Sequence, residues 1–356
     1  MLYHKKNPHG GDLYGGDVAV DFSANINPLG TPLSVQQAVE DSLSSLCRYP
    51  DPYCRHLVAA ISAFELVPRS FILCGCGAAE LIFSYCAALK PKKALELAPT
   101  FAEYSVALET YGCEVRRYPL YAENDFILDD RYPEYLEETD AEVAFLCNPN
   151  NPTGQLLERE RLAEILSICQ RRGLHLFLDE CFLDLTDEEK AVTMKPFLKD
   201  HPELFILKAF TKSYGMAGLR LGYCLCSDEE LLAKMGNSVQ PWNISTPAQV
   251  AGVAALKEQD FLKAARKLIR RERQWLCERI TSLGIAVYPS KVNYLLLYSE
   301  RPLGELLMKH GIQIRDCSNY HGLDVGWYRI AVKTHEENEK LVDALESIMR
   351  GEPRQK

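Results

Sequence analysis

The sequence predicts an α/β fold with a large, mostly parallel sheet, and three observations lead to this class. First, short apolar runs alternate with helical stretches from about residue 70 to residue 207. Second, these runs are apolar almost throughout, which is typical of parallel strands covered by helices on both faces. Third, a chain of 356 residues with 47% hydrophobic and 25% charged side chains can build a large core and divide into two domains. We therefore expect a three-layer sandwich followed by a smaller α+β domain.

The alternation of strands and helices defines the larger predicted domain, residues 33–245. Its strands are predicted at Phe71–Cys74, Ala94–Leu97, Val143–Cys147, Leu174–Leu178 and Leu204–Leu207. Its helices are predicted at Ala78–Leu89, Phe101–Thr110 and Glu158–Arg171. Gly173 would end the last of these helices, because glycine readily adopts the left-handed conformation found just after a helix. Residues 1–32 are rich in Gly, Pro, Asn and Asp, a composition that predicts an extended arm.

The second region, residues 246–356, mixes long helices with short strands. Helical patterns run from Pro247 to Leu283 and from Glu336 to Met349. Strands are predicted at Ile285–Tyr288, Tyr294–Tyr298, Ile312–Arg315 and Tyr328–Val332. This order of elements predicts a smaller α+β domain at the carboxyl end of the chain.

Charge and cysteine content exclude several classes of protein. The formal net charge is −9, whereas broad binding of nucleic acid needs a basic surface. No apolar run is long enough for a membrane-spanning helix, so we expect no membrane partner. The 13 cysteines include Cys74-x-Cys76 and Cys224-x-Cys226, which lie in strand-like apolar runs, but no Cys-x-x-Cys pair. We interpret them as small buried hydrophobes in a reducing cytoplasm, with a structural zinc site as the weaker alternative and no catalytic metal.

In an open α/β sheet, ligands bind outside the carboxyl ends of the strands, which directs attention to the turns that follow the strands. The first turn, Cys74–Glu80, contains Gly75 and Gly77 and precedes a helix. Free N–H groups at a helix N-terminus favour a phosphate. The turn lacks the third glycine of a dinucleotide-binding fingerprint and the lysine of a P-loop. A tight turn without a ligand therefore remains an alternative.

Two further turns carry amide and carboxylate side chains. Residues 148–154 read Asn-Pro-Asn-Asn-Pro-Thr-Gly, a fixed loop whose asparagine amides can both donate and accept hydrogen bonds. Asp179 and Glu180 follow the apolar run Leu174–Leu178. A buried carboxylate is costly unless it is paired. Asp179 is therefore expected to face a cation, either a protonated ring nitrogen or an arginine.

The fourth turn places Lys212 at the end of a strand and Arg220 eight residues later. Burial would lower the pKa of such a lysine and make it a nucleophile able to form a Schiff base, although a lone lysine is more often exposed. Together the four turns supply an aldehyde trap, a partner for a ring nitrogen, a donor to a phenolic oxygen and a cradle for a phosphate. Pyridoxal phosphate needs these four groups.

The motifs Asn-Pro-Asn-Asn-Pro-Thr-Gly, Asp-Glu-Cys-Phe and Thr-Lys…Gly-Leu-Arg-Leu-Gly-Tyr span residues 75–223 and resemble those of fold-type I pyridoxal phosphate enzymes. The resemblance is to the class I/II aminotransferase superfamily. It implies that Lys212 holds the cofactor covalently, that Asp179 holds the proton of the pyridine nitrogen, and that Asn151 binds the phenolic oxygen. Phe101 would stack on the ring. The residues expected around the cofactor phosphate are Gly77, Ala78, Thr211 and Arg220. Ala209 departs from the pattern, because relatives often have Ser or Thr there, so Thr211 or Lys208 would have to compensate.

The same resemblance assigns two residues outside the cofactor turns. Arg329 is similar to the arginine that binds the α-carboxylate of the substrate, a task that suits a planar guanidinium. Tyr49, in Arg-Tyr-Pro-Asp-Pro, is similar to the tyrosine that reaches the cofactor phosphate of a neighbouring subunit. The resemblance thus implies a homodimer with shared active sites.

Two subfamilies share these motifs, the histidinol-phosphate aminotransferases and the threonine-phosphate decarboxylases. The stretches His9–Gly11, Asp21–Pro28, Gln240–Asn243 and Ile314–Asn319 look more like the decarboxylases. Phe182 points the same way, because the aminotransferases usually have a tyrosine at this position. A non-catalytic relative that merely binds the cofactor is disfavoured by the presence of the lysine, the aspartate and both arginines.

The decarboxylase resemblance implies removal of CO₂ from L-threonine O-3-phosphate in cobalamin biosynthesis, giving (R)-1-aminopropan-2-yl phosphate. His9, Asn25 and Arg315 would then be the candidates for binding the phosphate of this small phosphorylated amino acid. The alternative is amino transfer between 2-oxoglutarate and histidinol phosphate or another amino acid. The two reactions differ in which bond at Cα is held perpendicular to the ring, and the sequence does not decide between them.

Overall fold

The structure is a computed structural model that describes residues 9–14, 17–187 and 189–351. Its strands, in chain order, are β1 (Val20–Asp21), β2 (Ile72–Gly75), β3 (Lys93–Ala98), β4 (Glu114–Pro119), β5 (Val143–Cys147), β6 (His175–Asp179), β7 (Leu204–Ala209), β8 (Gly222–Cys226), β9 (Ala286–Val287), β10 (Tyr294–Tyr298), β11 (Ile312–Gln313), β12 (Arg315–Asp316) and β13 (Trp327–Ala331). Its helices are α1 (Leu33–Ser42), α2 (Arg55–Glu65), α3 (Gly77–Leu89), α4 (Glu103–Thr110), α5 (Tyr132–Glu138), α6 (Arg159–Arg172), α7 (Glu189–Val192), α8 (Phe210–Ser213), α9 (Glu229–Ser238), α10 (Thr246–Ala255), α11 (Gln259–Ser282), α12 (Leu303–Met308) and α13 (His335–Arg350).

The larger sheet has the strand order β2-β8-β7-β6-β5-β3-β4. Only β8 runs against its neighbours, so the sheet is mostly parallel, as predicted. Strands β5 and β7 are buried along their whole length, and β6 is buried except at its first residue, His175. Parallel strands end at the same edge of a sheet. The last residues of these three strands, Cys147, Asp179 and Ala209, therefore lie beside one another at that edge.

Side chains from both faces of the larger sheet form its core. On one face the rings of Phe145, Phe177 and Phe205 stack from strand to strand, with centroids 4.4 and 4.8 Å apart. Tyr85 of α3 covers them, in an edge-to-face contact with Phe177 whose ring centroids are 4.9 Å apart. Because helices pack on both faces, the strands are apolar throughout, and this is the pattern that made them recognisable in the sequence.

The smaller sheet is antiparallel, with the order β12-β13-β10-β9. Its side chains pack against α11 and α13 in a separate core that includes Leu276, Leu295, Ile330 and Leu345. A capping box of Thr334 and Glu337 fixes the start of α13. Strand β1 of the arm pairs in parallel with β11, so the arm is joined to this part of the molecule.

The predicted elements appear within a few residues of their predicted bounds, and Gly173 ends α6 with φ of 68°. Two differences have physical reasons. Strand β4 was not predicted, because Glu114–Pro119 is a polar edge strand without an apolar run. The predicted strand Ile312–Arg315 is two short strands, one pairing with the arm and one with β13. The helical stretches predicted from Pro247 to Leu283 are the two helices α10 and α11. The division into an arm and two domains at residues 33 and 246 stays a prediction.

Candidate active site

A cavity of about 200 Å³ opens at the carboxyl ends of β5, β6 and β7. The larger sheet contributes Cys147, Asp179 and Ala209 to its wall, and the smaller sheet contributes Arg315 and Arg329. The arm closes the remaining side of the cavity, with residues 9–10 and 23–25. The site is thus built from three parts of the chain that are far apart in sequence.

Most of the predicted site residues meet in this cavity. Those that line it are His9, Asn25, Ala78, Phe101, Asn151, Asp179, Thr211, Lys212, Arg220, Arg315 and Arg329. Gly77 lies directly behind Arg220, because a Cβ atom at Gly77 would be 2.7 Å from Nη2 of that arginine. Tyr49 lies elsewhere: it is 80% exposed, and its ring stacks on Trp242 with centroids 4.5 Å apart.

Asp179 lies on the floor of the cavity and is only 5% exposed. Its Oδ2 accepts a hydrogen bond of 2.6 Å from the Tyr104 hydroxyl, and its Oδ1 accepts one of 2.8 Å from the backbone N–H of Cys181. Burial raises the pKa of this carboxyl, and the two hydrogen bonds oppose that rise. A cationic ring nitrogen placed above Asp179 would supply the charge partner that this buried carboxylate needs.

Lys212 extends into the cavity from α8, the short helix that follows β7. Burial, and to a smaller extent the nearby Arg329 guanidinium, lower its pKa to about 8. The ring of Phe182 lies beside the amine, with its centroid 5.5 Å from Nζ. A lysine with this pKa has a substantial neutral fraction near pH 8, and the neutral amine is the form that attacks an aldehyde.

The turn before α3 provides a cradle for an anion. Gly77 has φ of 81°, a conformation that favours glycine, and the absence of a side chain there leaves room for the Arg220 guanidinium. Ala78 and Ala79 begin α3 at the cavity wall, so backbone N–H groups of a helix N-terminus face the same space. Thr211 also lines the cavity, whereas Nζ of Lys208 binds Asp184 at 2.6 Å. Of the two residues expected to compensate for Ala209, only Thr211 is therefore placed to do so.

Arg329 joins the smaller sheet to the rest of the site. Its Nη1 donates to Oδ1 of Asn151, and its Nη2 donates to the carbonyl of Ser23 at 2.8 Å. The Tyr320 hydroxyl also contacts Oδ1 of Asn151, at 3.5 Å. Two donors at the amide oxygen fix the orientation of Asn151 and leave its NH₂ group as the part that can donate to a ligand.

Arg315 and Arg329 face each other directly across the antiparallel pair β12 and β13. Their side chains therefore project from the same face of the sheet. Both are largely buried, with 8% and 6% exposure. Like charges opposite one another destabilise a sheet, and anionic ligands would offset that repulsion. Asn25, 1% exposed, lines the same cavity, and neither polar atom of its amide has a hydrogen-bond partner.

Two residues of the site were not predicted from the sequence, Tyr104 and Tyr320. Tyr104 lies on α4 and holds Asp179, while Tyr320 lies between Asn151 and the Arg315 guanidinium, which is 5.2 Å from its ring. Both follow predicted site residues closely in sequence, Tyr104 three residues after Phe101 and Tyr320 five after Arg315. A spacing of three places Tyr104 on the same helical face as Phe101, and that spacing was the available signal.

The family model for aminotransferase class I and II matches residues 17–345. The chain belongs to this family. It is 41% identical to the threonine-phosphate decarboxylase of Salmonella typhimurium over 94% of this chain and 92% of that protein. Among solved structures, the histidinol-phosphate aminotransferase of Clostridium acetobutylicum has a TM-score of 0.87 and 29% identity, covering 93% of this chain and 99% of that one. The L-threonine-O-3-phosphate decarboxylase of Porphyromonas gingivalis has a TM-score of 0.82 and 25% identity, with coverage of 93% and 99%.

Membership of the aminotransferase family identifies the protein as a pyridoxal phosphate enzyme, either a decarboxylase or an aminotransferase. The geometry of the cavity fits this cofactor. The Gly77 turn and Arg220 can hold its phosphate, Asp179 can pair with its ring nitrogen, and Lys212 can bind its aldehyde carbon. No group of three or more His, Cys, Asp or Glu side chains suited to a metal ion occurs in the described ranges. None of the helices that the structure describes is both long enough and apolar enough to span a membrane.

The lowered pKa of Lys212 predicts how cofactor capture depends on pH. Because the pKa is about 8, the neutral amine becomes the major form as pH rises through that value, whereas an ordinary lysine would need a pH above 10. We expect the rate at which apoenzyme takes up pyridoxal phosphate covalently to rise with pH and level off above a midpoint near 8. Stopped-flow absorbance of the growing aldimine band measures this rate. A rate still rising at pH 10 would contradict the prediction.

Tyr104→Phe tests the hydrogen bond that holds Asp179. Removing a donor to a buried charged carboxylate costs about 1.5–3 kcal/mol, which corresponds to a loss of about tenfold to a hundredfold in affinity for the cofactor. Equilibrium titration of the apoenzyme with pyridoxal phosphate gives this value. Tyr132→Phe is the matched control, because Tyr132 is fully buried and its hydroxyl has no hydrogen-bond partner. Equal affinities of the two variants for the cofactor would show that the Tyr104 hydroxyl has no such role.

Proposed function

We propose that the protein decarboxylates L-threonine O-3-phosphate to (R)-1-aminopropan-2-yl phosphate. The observation that carries the proposal is the pair Arg315 and Arg329, two buried guanidinium groups side by side in the wall of one cavity. Threonine phosphate carries a phosphate and a carboxylate in one molecule, so it can occupy both arginines at once. Histidinol phosphate has a phosphate but no carboxylate. The 41% identity to the Salmonella typhimurium decarboxylase supports the same choice.

Each side chain has a separate task in this reaction. Arg329 binds the α-carboxylate and sets the direction of the bond that joins it to Cα, while Arg315, Asn25 and His9 bind the phosphate. Lys212 binds the cofactor and gives it up to the amino group of the substrate. Asp179 keeps the ring nitrogen protonated. Pyridoxal phosphate, when bound, supplies the conjugated ring that accepts the electron pair left behind as CO₂ departs.

Phe182 shapes the pocket beside Lys212. Its ring packs edge-on against Tyr294, with centroids 5.1 Å apart, and is 7% exposed. A phenyl ring cannot donate a hydrogen bond to the phenolic oxygen of the cofactor, so Asn151 is the donor left for that oxygen. The resemblance to the decarboxylases implies the same distinction, because the aminotransferases usually carry a tyrosine at this position.

Incubating the purified holoenzyme with L-threonine O-3-phosphate tests the proposed reaction. We expect release of CO₂ in a one-to-one ratio with the aminopropanol phosphate, measured by a coupled CO₂ assay and by mass spectrometry. Lys212→Ala should abolish turnover, because the amine that binds the cofactor is lost. Amino transfer from histidinol phosphate to 2-oxoglutarate, without release of CO₂ from threonine phosphate, would instead establish the aminotransferase.

We also propose that the protein works as a homodimer in which Tyr49 completes the active site of the partner. Tyr49 and Trp242 form a stacked aromatic pair that is largely exposed, at 80% and 46%. The pair stands beside the phosphate turn, because Nδ2 of Asn243 donates to Glu80 at 2.5 Å and Glu80 accepts the N–H of Cys76 at 2.6 Å. An exposed aromatic pair next to a cofactor turn, yet outside its own cavity, suits a contact with a second copy.

Mixing two inactive variants tests for shared active sites. Lys212→Ala removes the lysine, and Tyr49→Ala removes the tyrosine that would reach across. If both come from different subunits, a mixed dimer has one intact site, and a one-to-one mixture that exchanges freely recovers about a quarter of full activity. If each site is built from one chain, the mixture stays at the summed activity of the separate variants. A monomer in sedimentation experiments would exclude the homodimer directly.

The setting of the reaction is part of the same proposal. We propose that release of aminopropanol phosphate from threonine phosphate serves cobalamin biosynthesis. All 13 cysteines are free thiols, which suits a reducing compartment, and we propose the cytoplasm. Residues 1–32, 33–245 and 246–356 are proposed as arm, cofactor domain and small domain, with the cavity at the junction of the three.

A further inference from the structure

We propose that Glu103 is a positioning residue for the substrate pocket, which holds the arm in place by binding His9. The inference rests on the proposed function to the extent that the substrate is a phosphorylated amine bound near His9. Glu103 does not line the cavity itself. It acts on a residue that does.

The contact between these two residues is short and spans a long stretch of sequence. Nε2 of His9 lies 2.5 Å from Oε1 of Glu103, and 94 positions separate them in the chain. The side chains are 32% and 17% exposed, so the pair is shielded from solvent more than a typical surface ion pair. The His9 ring also packs against Phe101, with centroids 5.7 Å apart. Two contacts therefore fix the imidazole in the wall of the cavity.

The arm is also held at Gly10 and Gly11, the two residues after His9, which both contact Ser23. A Cβ atom at Gly10 would lie 2.3 Å from the carbonyl oxygen of Ser23, so the backbone passes Ser23 at a distance that only glycine allows. The N–H of Gly11 donates to Oγ of Ser23 at 2.7 Å. The Ser23 carbonyl in turn accepts from Arg329 at 2.8 Å. The Ser23 anchor fixes the backbone of the arm, and Glu103 is the contact that fixes the side chain of His9.

The position of Glu103 in α4 explains how it can do this. Glu103 is the first residue of the helix, where unpaired N–H groups and the helix dipole stabilise a carboxylate. Phe101 lies two residues before the helix and lines the cavity, while Tyr104 holds Asp179. The start of α4 thus contacts the cofactor site and the arm through neighbouring residues, so the arm is held in register with the site.

The positive charge of the cavity also favours an acidic residue at position 103. The cavity already contains Lys212, Arg220, Arg315 and Arg329, against the single carboxylate of Asp179. The Glu103 carboxylate, with Oε1 2.5 Å from Nε2 of His9, adds a negative charge beside these cations. Because opposite charges attract, this carboxylate favours a position of the arm in which His9 lies at the cavity wall. A glutamine of the same size would keep the shape and lose the compensation.

Glu103→Gln tests the inference in the holoenzyme. A hydrogen bond to a charged group is lost, and we expect KM for L-threonine O-3-phosphate to rise about tenfold while kcat changes less. The absorbance band of the bound cofactor should stay unchanged, because Glu103 does not touch the cofactor pocket. Hydrogen exchange measured by mass spectrometry should become faster in residues 9–14. Glu109→Gln is the matched control, on the same helix but 60% exposed on its side chain and remote from the arm.

A double-mutant cycle distinguishes positioning from general destabilisation. If Glu103 acts through His9, adding Glu103→Gln to His9→Gln raises KM no further, whereas independent effects would multiply. Multiplying effects, or unchanged KM and exchange in Glu103→Gln alone, would overturn the inference. The affinity of the holoenzyme for threonine phosphate and for histidinol phosphate, read from the cofactor absorbance, keeps the test independent of turnover. If the holoenzyme releases no CO₂, but Glu103→Gln still weakens binding of either phosphorylated ligand only when His9 is present, the proposed reaction is rejected and the role of Glu103 is retained.

Discussion

The hydrogen bonds of the buried Arg329 guanidinium to Asn151 and Ser23 are the interactions on which the whole site depends. Arg329 bonds Asn151 at the end of the larger sheet and Ser23 in the arm, while its own strand belongs to the smaller sheet. One side chain thereby holds three parts of the chain around a single cavity. Nε of Arg329 has no hydrogen-bond partner although it is buried, and an unsatisfied buried donor is costly. The two hydrogen bonds of Arg329 thus connect the parts of the site. An anion in the cavity would give its Nε–H the acceptor that the protein does not supply.

The charge of the site runs against the charge of the protein. The chain carries a net −9, yet four cationic side chains face the cavity and only Asp179 opposes them among the acids that line it. Repulsion among these positive charges lowers the stability of the folded protein, and binding of phosphates and a carboxylate would offset that repulsion. The same field lowers the pKa of Lys212, with burial as the larger cause. Anion recognition and activation of the lysine therefore have a common physical origin.

The sequence allowed much of the fold and the cofactor site to be predicted, because both depend on local patterns. Apolar strands covered on both faces are visible as runs, and turns at their carboxyl ends carry Asp179, Asn151 and Lys212. Tyr104 had only its spacing of three residues from Phe101 as a signal, and that spacing alone does not mark a site residue. As an apolar-face helical residue it looks like Tyr85 and Tyr132, which are fully buried and whose hydroxyls lack partners. The contact between His9 and Glu103 also lay beyond prediction, since nothing local marks a pair separated by 94 residues.

The choice between two reactions depends on how one antiparallel pair presents its arginines. Arg315 and Arg329 are opposite one another on β12 and β13, so both side chains project from the same face of the smaller sheet. When a substrate with one anionic group binds, the positive charge of either Arg315 or Arg329 has no anionic partner on the substrate. A substrate with a phosphate on Cβ and a carboxylate on Cα satisfies both and is thereby held in a fixed orientation over the ring. Orientation of the Cα–carboxylate bond is what a decarboxylase must control. Under the decarboxylation that we propose, the register of β12 and β13 would supply that control.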